Sequence, residues 1–202
     1  MNIDSDKRAL RALARKRLAA LTAEYRRAAN AAMAEAVLGH PAFQRAGTVF
    51  CYVSLPTEPD TGPILRAALS LGKRVCVPRC REKPRMDAVL IRSLDDLAPG
   101  TLGIPEPVTG DAVPPGEIGL TLVPCLAADK AGHRLGHGGG YYDAFLAAAP
   151  GPALCLCFRE LLLPALPAAP WDVPVDAVVT EDGVLPITRA AVQRQSRKPC
   201  AL

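Results

Sequence analysis

Gly132-His133-Arg134-Leu135-Gly136-His137-Gly138-Gly139-Gly140-Tyr141-Tyr142-Asp143 packs glycines, a cation, aromatics and a carboxylate more densely than any other part of the chain. Glycines at 136, 138 and 140 leave no Cβ between backbone and ligand, so several N–H groups can turn toward one anion. Residues 141–149 read as a short helix whose positive end would face the same anion, with Arg134 adding a full charge. No Lys-Ser/Thr pair follows the glycines, and Tyr141 stands where a dinucleotide fingerprint needs its third glycine. The stretch reads either as a nucleotide or phosphate loop of another kind or as a flexible Gly-rich turn between a strand and a helix, and Arg134 before the glycines with Asp143 after them favours the first.

Outward from the loop, the pattern is α/β. Residues 48–53 are β-branched and aromatic, the mark of a strand buried on both faces. They run into Ser54-Leu55-Pro56-Thr57-Glu58-Pro59-Asp60-Thr61, at the strand end where open α/β sheets bind ligands. Asp60 or Thr61 caps a helix expected over 64–71, whereas Glu58 has no evident structural role. Strands are expected at 75–77, 86–91, 118–123, 153–158, 176–180 and 184–187; the rest of 78–115 is hard to read, with 102–107 and 114–116 an irregular excursion. Before all of these stand two helices. The first has Leu10, Leu13, Ala14, Leu18 and Leu21 at helical spacing, with Asp4 or Ser5 as its cap. Thr22 caps the second, which Gly39-His40-Pro41 ends. The expected architecture is an open, mostly parallel sheet flanked by helices in three layers, with an N-terminal helical pair: one domain over 1–188 and a frayed basic tail over 189–202.

The first helix also carries Lys7, Arg8, Arg11, Arg15 and Lys16, with Lys7 and Arg11 one turn apart. Such rows are usually solvated, but an anion loop elsewhere in the chain gives these cations a partner.

The chain has 202 residues, a net charge of +4 and 4% aromatic residues. That balance suits a small anionic ligand better than nucleic acid, which needs a basic stripe and stacking rings. Cationic residues interrupt the N-terminal segment, so neither a secretory signal nor a membrane span is expected, and the protein reads as cytoplasmic. The seven cysteines form no Cys-x-x-Cys pair, and with three histidines they suggest neither a disulfide framework nor a zinc site. They are expected as reduced, buried hydrophobes, Cys155 and Cys157 on one face.

Taken in order, Lys7-x-x-Leu10-Arg11, Glu58-x-Asp60-Thr61, Gly72-Lys73-Arg74-Val75 with Pro78, Gly103-Ile104-x-Glu106-Pro107, Leu122-Val123-Pro124 before the glycine loop, and Trp171-Asp172 before 176–180 resemble the 5-formyltetrahydrofolate cyclo-ligase family over nearly the whole chain. The resemblance implies an ATP- and Mg2+-dependent ligase of one-carbon folate metabolism, converting 5-formyltetrahydrofolate to 5,10-methenyltetrahydrofolate through a phosphorylated formyl group, with ADP and phosphate released. It implies that Lys7, Arg11, Arg134, Leu135 and residues 136–142 (Gly136, His137, Gly138, Gly139, Gly140, Tyr141, Tyr142) bind ATP. Val53, Glu58, His137, Gly138, Gly139, Gly140, Tyr141 and Trp171 would face the folate, with Glu58, Arg134 and Tyr142 as catalytic residues. Asp143 would hold magnesium, with Asp176 as a second ligand. A monomer acting on small molecules, with no nucleic acid or membrane partner, is expected.

The sequence departs from the family pattern at His137 and Gly139, where members often carry Lys or Arg, and at Ala144, where an Arg commonly follows the aspartate. Two other classes of function remain open on residues alone. A sugar-phosphate isomerase would need a base beside the loop, and a non-catalytic folate- or nucleotide-binding relative would need none. An RNA-binding helix is disfavoured by the low aromatic content.

Overall fold

The computed structural model describes residues 3–100 and 103–188. The expected basic tail at 189–202 lies outside the described residues.

Three helices, not two, precede the first strand: α1 (Ile3–Ala20), α2 (Ala23–Gly39) and a five-residue α3 (Pro41–Arg45). Helix α1 already contains Asp4 and Ser5, so neither is its cap; Asp4 and Asp6 sit in its first turn, where carboxylates offset the helix dipole. Thr22 caps α2 by accepting from the Tyr25 N–H at 3.1 Å, as its sequence predicts. His40 ends α2 and caps α3 through Nδ1, a double role hidden in the sequence by Pro41.

The chain then runs through β1 (Thr48–Cys51), α4 (Gly62–Ser70), β2 (Arg74–Cys80) and β3 (Met86–Ile91). The stretch that is hard to read in the sequence forms β4 (Leu97–Pro99), β5 (Pro105–Pro107) and β6 (Ala112–Val113), strands too short and Pro-rich to show a period of two. There follow β7 (Leu120–Val123), β8 (Ala127–Asp129), β9 (Arg134–Leu135), α5 (Tyr141–Ala148), β10 (Ala153–Leu156), β11 (Leu162–Leu163), β12 (Ala177–Thr180) and β13 (Gly183–Pro186).

The main sheet has the order β13-β12-β10-β7-β1-β2-β3-β6. Strands β2, β1, β7, β10 and β12 pair in parallel, while β3, β6 and β13 join antiparallel, with β6 and β13 at the edges. Counted along the chain, the parallel strands lie in the order 2-1-3-4-5, which reverses direction between β1 and β7. Open sheets bind ligands at the carboxyl ends of the strands beside such a reversal. Here those ends lead into residues 52–61 and, through β8 and β9, into the glycine loop.

Alternation along β1 explains its burial on both faces. Val49 and Cys51 join the cluster containing Ala29, Met33 and Val37 of α2 and Ile64 and Leu65 of α4. Phe50 points the other way, to Cys76, Ala88, Phe145 and Ala149. Its ring centroid lies 4.4 Å from that of Phe145 and 6.3 Å from that of Tyr142, so one side chain holds α5, and with it the end of the glycine loop, against the sheet. Helix α1 buries Ala14 and Leu18, but Leu13 is 43% exposed, contrary to its place in the apolar pattern.

Phe50→Ala is expected to cost about 3–5 kcal/mol, the range for emptying a fully buried aromatic site. Urea unfolding measures this, and a loss below about 1 kcal/mol would show that α5 is held by other contacts.

Candidate active site

The loop after β1 is drawn tight by its own side chains. Thr61 Oγ1 donates to the Tyr52 carbonyl at 2.8 Å, and the Tyr52 hydroxyl donates to the Pro59 carbonyl at 2.9 Å. Thr61 therefore ties the loop to the strand rather than capping α4; the Asp60 carboxylate makes the capping-type bond, accepting from Gly62 N–H at 2.8 Å. Within this loop Glu58 turns inward and is 6% exposed. Contrary to the sequence reading, it has a structural role, since Oε2 accepts from the Leu55 N–H at 2.9 Å while the Glu58 N–H donates to the Leu55 carbonyl at 2.9 Å.

The glycine loop reaches the same place from the other side. His137 Nε2 lies 3.2 Å from Glu58 Oε1, joining two segments 79 residues apart in sequence. Gly138 and Gly140 have φ of +98° and +75°, backbone that L side chains rarely adopt, and Gly140 directly precedes α5. A Cβ on Gly139 would fall 2.6 Å from the Tyr141 ring, so a side chain there would require that ring to shift. Pro84, at the tip of the β2–β3 hairpin, closes the far side, 3.5 Å from a Cβ built on Gly140.

Cations surround the loop, but in unequal states. Arg11 of α1 donates from Nε to the Gly136 carbonyl at 2.9 Å, and its guanidinium lies across Gly138, 3.4 Å from where a Cβ would be. Lys7, one turn earlier, is paired with Asp172, and both side chains are largely buried. Arg8, Arg15 and Lys16 are exposed, so the basic row of α1 divides into two inward and three solvated charges. Arg134 is 5% exposed and faces neighbours of its own: Nη1 donates to the Val173 carbonyl at 2.6 Å and Nη2 to Asp143 Oδ1 at 3.0 Å. The Val173 N–H donates to the same Asp143 oxygen at 3.0 Å. Leu135 is buried behind the loop.

Tyr142 is half-buried at the centre of the arrangement. Burial, together with Cys51, Glu58 and Cys80 and against the opposing pull of Arg134, holds its hydroxyl well above the usual phenol range, so it stays a neutral donor. Burial likewise pushes the Cys51 thiol far up, which makes this cysteine, beside the β1 loop, an inert one. Val53 packs partly buried against the core at the root of the loop.

Asp176 lies immediately before β12, at its amino end, where its carboxylate accepts from the Ala153 N–H at 2.9 Å. Trp171 is 72% exposed, while its neighbour Asp172 anchors Lys7. Among the described residues no three His, Cys, Asp or Glu side chains form a metal-binding group. Asp129, which the sequence did not mark, is 1% exposed and binds the N–H groups of Ala131, His133 and Leu166, fixing the β8–β9 hairpin that presents Arg134. Only its position before a Gly-containing turn hinted at that role.

Residues 3–181 match the model of the 5-formyltetrahydrofolate cyclo-ligase family. The 5-formyltetrahydrofolate cyclo-ligase of Mus musculus is 32% identical over 196 residues, covering 90% of this chain and 97% of that protein. That of Escherichia coli K12 is 30% identical over 180 residues, covering 84% and 97%. The solved structure of Aquifex aeolicus 5,10-methenyltetrahydrofolate synthetase superposes with a TM-score of 0.81 at 29% identity, covering 94% of this chain and 96% of that one.

Asp143→Asn removes the charge facing a buried guanidinium and is expected to cost about 3 kcal/mol, the low end for an uncompensated buried charge. In a double-mutant cycle by urea unfolding, Arg134→Met should then cost less in the Asp143→Asn background than in the natural chain; equal costs would show that the pair is not coupled.

Proposed function

The chain belongs to the 5-formyltetrahydrofolate cyclo-ligase family, and from that premise we propose that it uses ATP and magnesium to cyclise 5-formyltetrahydrofolate to 5,10-methenyltetrahydrofolate. The observation that carries the proposal is the 3.2 Å contact between Glu58 and His137, which brings the folate-facing loop and the phosphate loop together beside the β1–β7 reversal. A reaction that passes a phosphoryl group from one substrate to the other needs both in one cleft.

The chemistry asks more for positioning than for a strong base. The formyl oxygen attacks the γ-phosphorus and ADP departs. N10 then closes on the activated formyl carbon, its N–H proton is lost, and the carbon–oxygen bond breaks to release phosphate. Arg11 keeps its terminal guanidinium nitrogens for the phosphates while Nε holds the loop. Lys7, with three N–H donors, has two beyond the one given to Asp172. The N–H groups of residues 136–142 supply neutral donors, and Gly139, by admitting the Tyr141 ring, fixes one wall. Tyr142, held neutral, donates to the oxygen that gains charge. Glu58 faces the folate's N–H groups. Arg134 acts at one remove, by orienting Asp143.

The residues present fit magnesium in one way. Arg134 and Val173 both bind Oδ1 of Asp143, leaving Oδ2 as the carboxylate oxygen for a cation shared with ATP. Magnesium commonly takes one or two carboxylates plus substrate phosphates, so a single aspartate suffices and Asp176 is not needed. When bound, the ion neutralises charge on the β- and γ-phosphates.

Purified protein mixed with 5-formyltetrahydrofolate, ATP and magnesium should show a rise in near-ultraviolet absorbance, since the conjugated methenyl product absorbs where the substrate does not. Omitting any component, or chelating the magnesium, should abolish the rise. Binding of both substrates without any rise would favour a non-catalytic relative.

Arg11→Ala should raise the KM for ATP by about tenfold or more, the loss expected for a charge-assisted hydrogen bond, with a smaller change for the folate. Steady-state kinetics with each substrate varied decide it; the reverse pattern would place Arg11 on the folate side.

A further inference from the structure

The groups assigned to ATP above, Lys7, Arg11 and the N–H groups of the glycine loop, all serve its phosphates, and none offers the base a surface. Charges and N–H donors recognise an oxyanion, whereas a purine needs a flat apolar face. Tyr142 packs by Phe50, and Tyr141 forms a wall of the glycine loop. The chain has a single tryptophan, Trp171, and at 72% it is the most exposed large apolar side chain among the described residues.

A lone exposed apolar residue is ordinary on a protein surface. What sets Trp171 apart is how its turn is fastened. Pro170 and Trp171 are the central pair of a turn closed by the Asp172 N–H, which donates to the Ala169 carbonyl at 3.0 Å, and the Ala169 N–H donates back to Asp172 Oδ2 at 2.7 Å. The same Asp172 oxygen holds Lys7. One residue further on, the Val173 carbonyl accepts from Arg134 Nη1 at 2.6 Å and the Val173 N–H donates to Asp143 Oδ1 at 3.0 Å. Trp171 therefore directly precedes two ties, one to a cation of α1 and one to the Arg134–Asp143 pair. Lys7 and Asp143 are the groups proposed above for the phosphates and magnesium. The base of ATP hangs from the α-phosphate, the end remote from the phosphorus that reacts, so its platform belongs at an exposed rim rather than inside the crevice.

We infer that Trp171 is the platform on which the adenine ring of ATP stacks. The inference rests on the proposed ATP reading of the site, and it gives Trp171 to the nucleotide where the family resemblance implies the folate. The bonds that close the turn order its backbone in advance, so little freedom is lost when a base settles on the ring. Because every base has a π-face, the contact adds affinity for a nucleotide without selecting adenine.

The test uses the full chain without folinate, so that ATP binds with no formyl group present to react. Because Trp171 is the only tryptophan, its fluorescence reports on the site directly. ATP with magnesium should quench it saturably, and inorganic tripolyphosphate, which has the charges but no base, should not. By calorimetry, Trp171→Ala should weaken ATP binding about fivefold or more, the low end of what stacking one base is worth, while tripolyphosphate and folinate affinities stay within about twofold. Trp171→Phe, which keeps a flat ring, should lose less. Equal losses for ATP and tripolyphosphate would show that Trp171 only shapes the turn carrying Asp172, and a loss for folinate with ATP unchanged would return it to the folate. Either result, or no loss for any ligand, overturns the inference. Failure of the natural chain to bind ATP would overturn the ATP reading itself, and this inference with it.

Discussion

Everything at the cleft follows from the placing of β1 between β2 and β7. Parallel pairing on both sides buries the strand on both faces, so its residues must alternate between two apolar layers, as Val49 and Cys51 do against Phe50. Because the connections leave β1 and β7 in opposite directions, their carboxyl ends part and leave a crevice. The chain fills the rim of that crevice with its two most polar connections. Phe50 carries the constraint from the core to the rim, since the ring that packs on Phe145 also lies by Tyr142.

The charges around the crevice are not equivalent, although the sequence displays them alike. Arg134 and Lys7 each have a carboxylate, and both pairs are largely shielded from water, where removing either partner is strongly destabilising. These two cations set geometry: one fixes Asp143, the other fastens α1 across to Asp172. Arg11 is bound to the loop only through Nε and a backbone carbonyl, which leaves its charge uncompensated by any carboxylate in a described bond.

How far the sequence could be read followed from the range of the interactions involved. Strands β1, β3, β7, β10 and β12, and helices α2, α4 and α5, were legible because burial on both faces or capping is written in neighbouring residues, as with Thr22. The β4–β5 ribbon was not, because strands of three residues containing Pro99, Pro105 and Pro107 have no periodicity to show. At the site, residue types were legible and pairings were not. Nothing in the local pattern tells that Arg134 faces Asp143 and Val173, or that Asp176 serves the start of β12, since those partners are set by tertiary packing. Glu58 seemed free of structural duty because its bond to the Leu55 N–H exists only once the turn has formed.

The two departures in the glycine loop illustrate the same point from the other side. Read as sequence, His137 and Gly139 look like cations lost from a phosphate loop. In the fold, a Cβ on Gly139 would meet the Tyr141 ring at 2.6 Å, so a long cationic side chain there would require that ring to move. His137 turns its imidazole to Glu58 rather than to solvent, although 44% of its side chain is exposed. A lysine could offer that carboxylate a charge, whereas an imidazole offers one directed N–H from a flat ring. The loop thereby gains a contact to the β1 loop across the crevice and gives up a fixed charge. Positive charge beside the glycine loop comes instead from helix α1, whose Arg11 lies across Gly138 and donates to the Gly136 carbonyl.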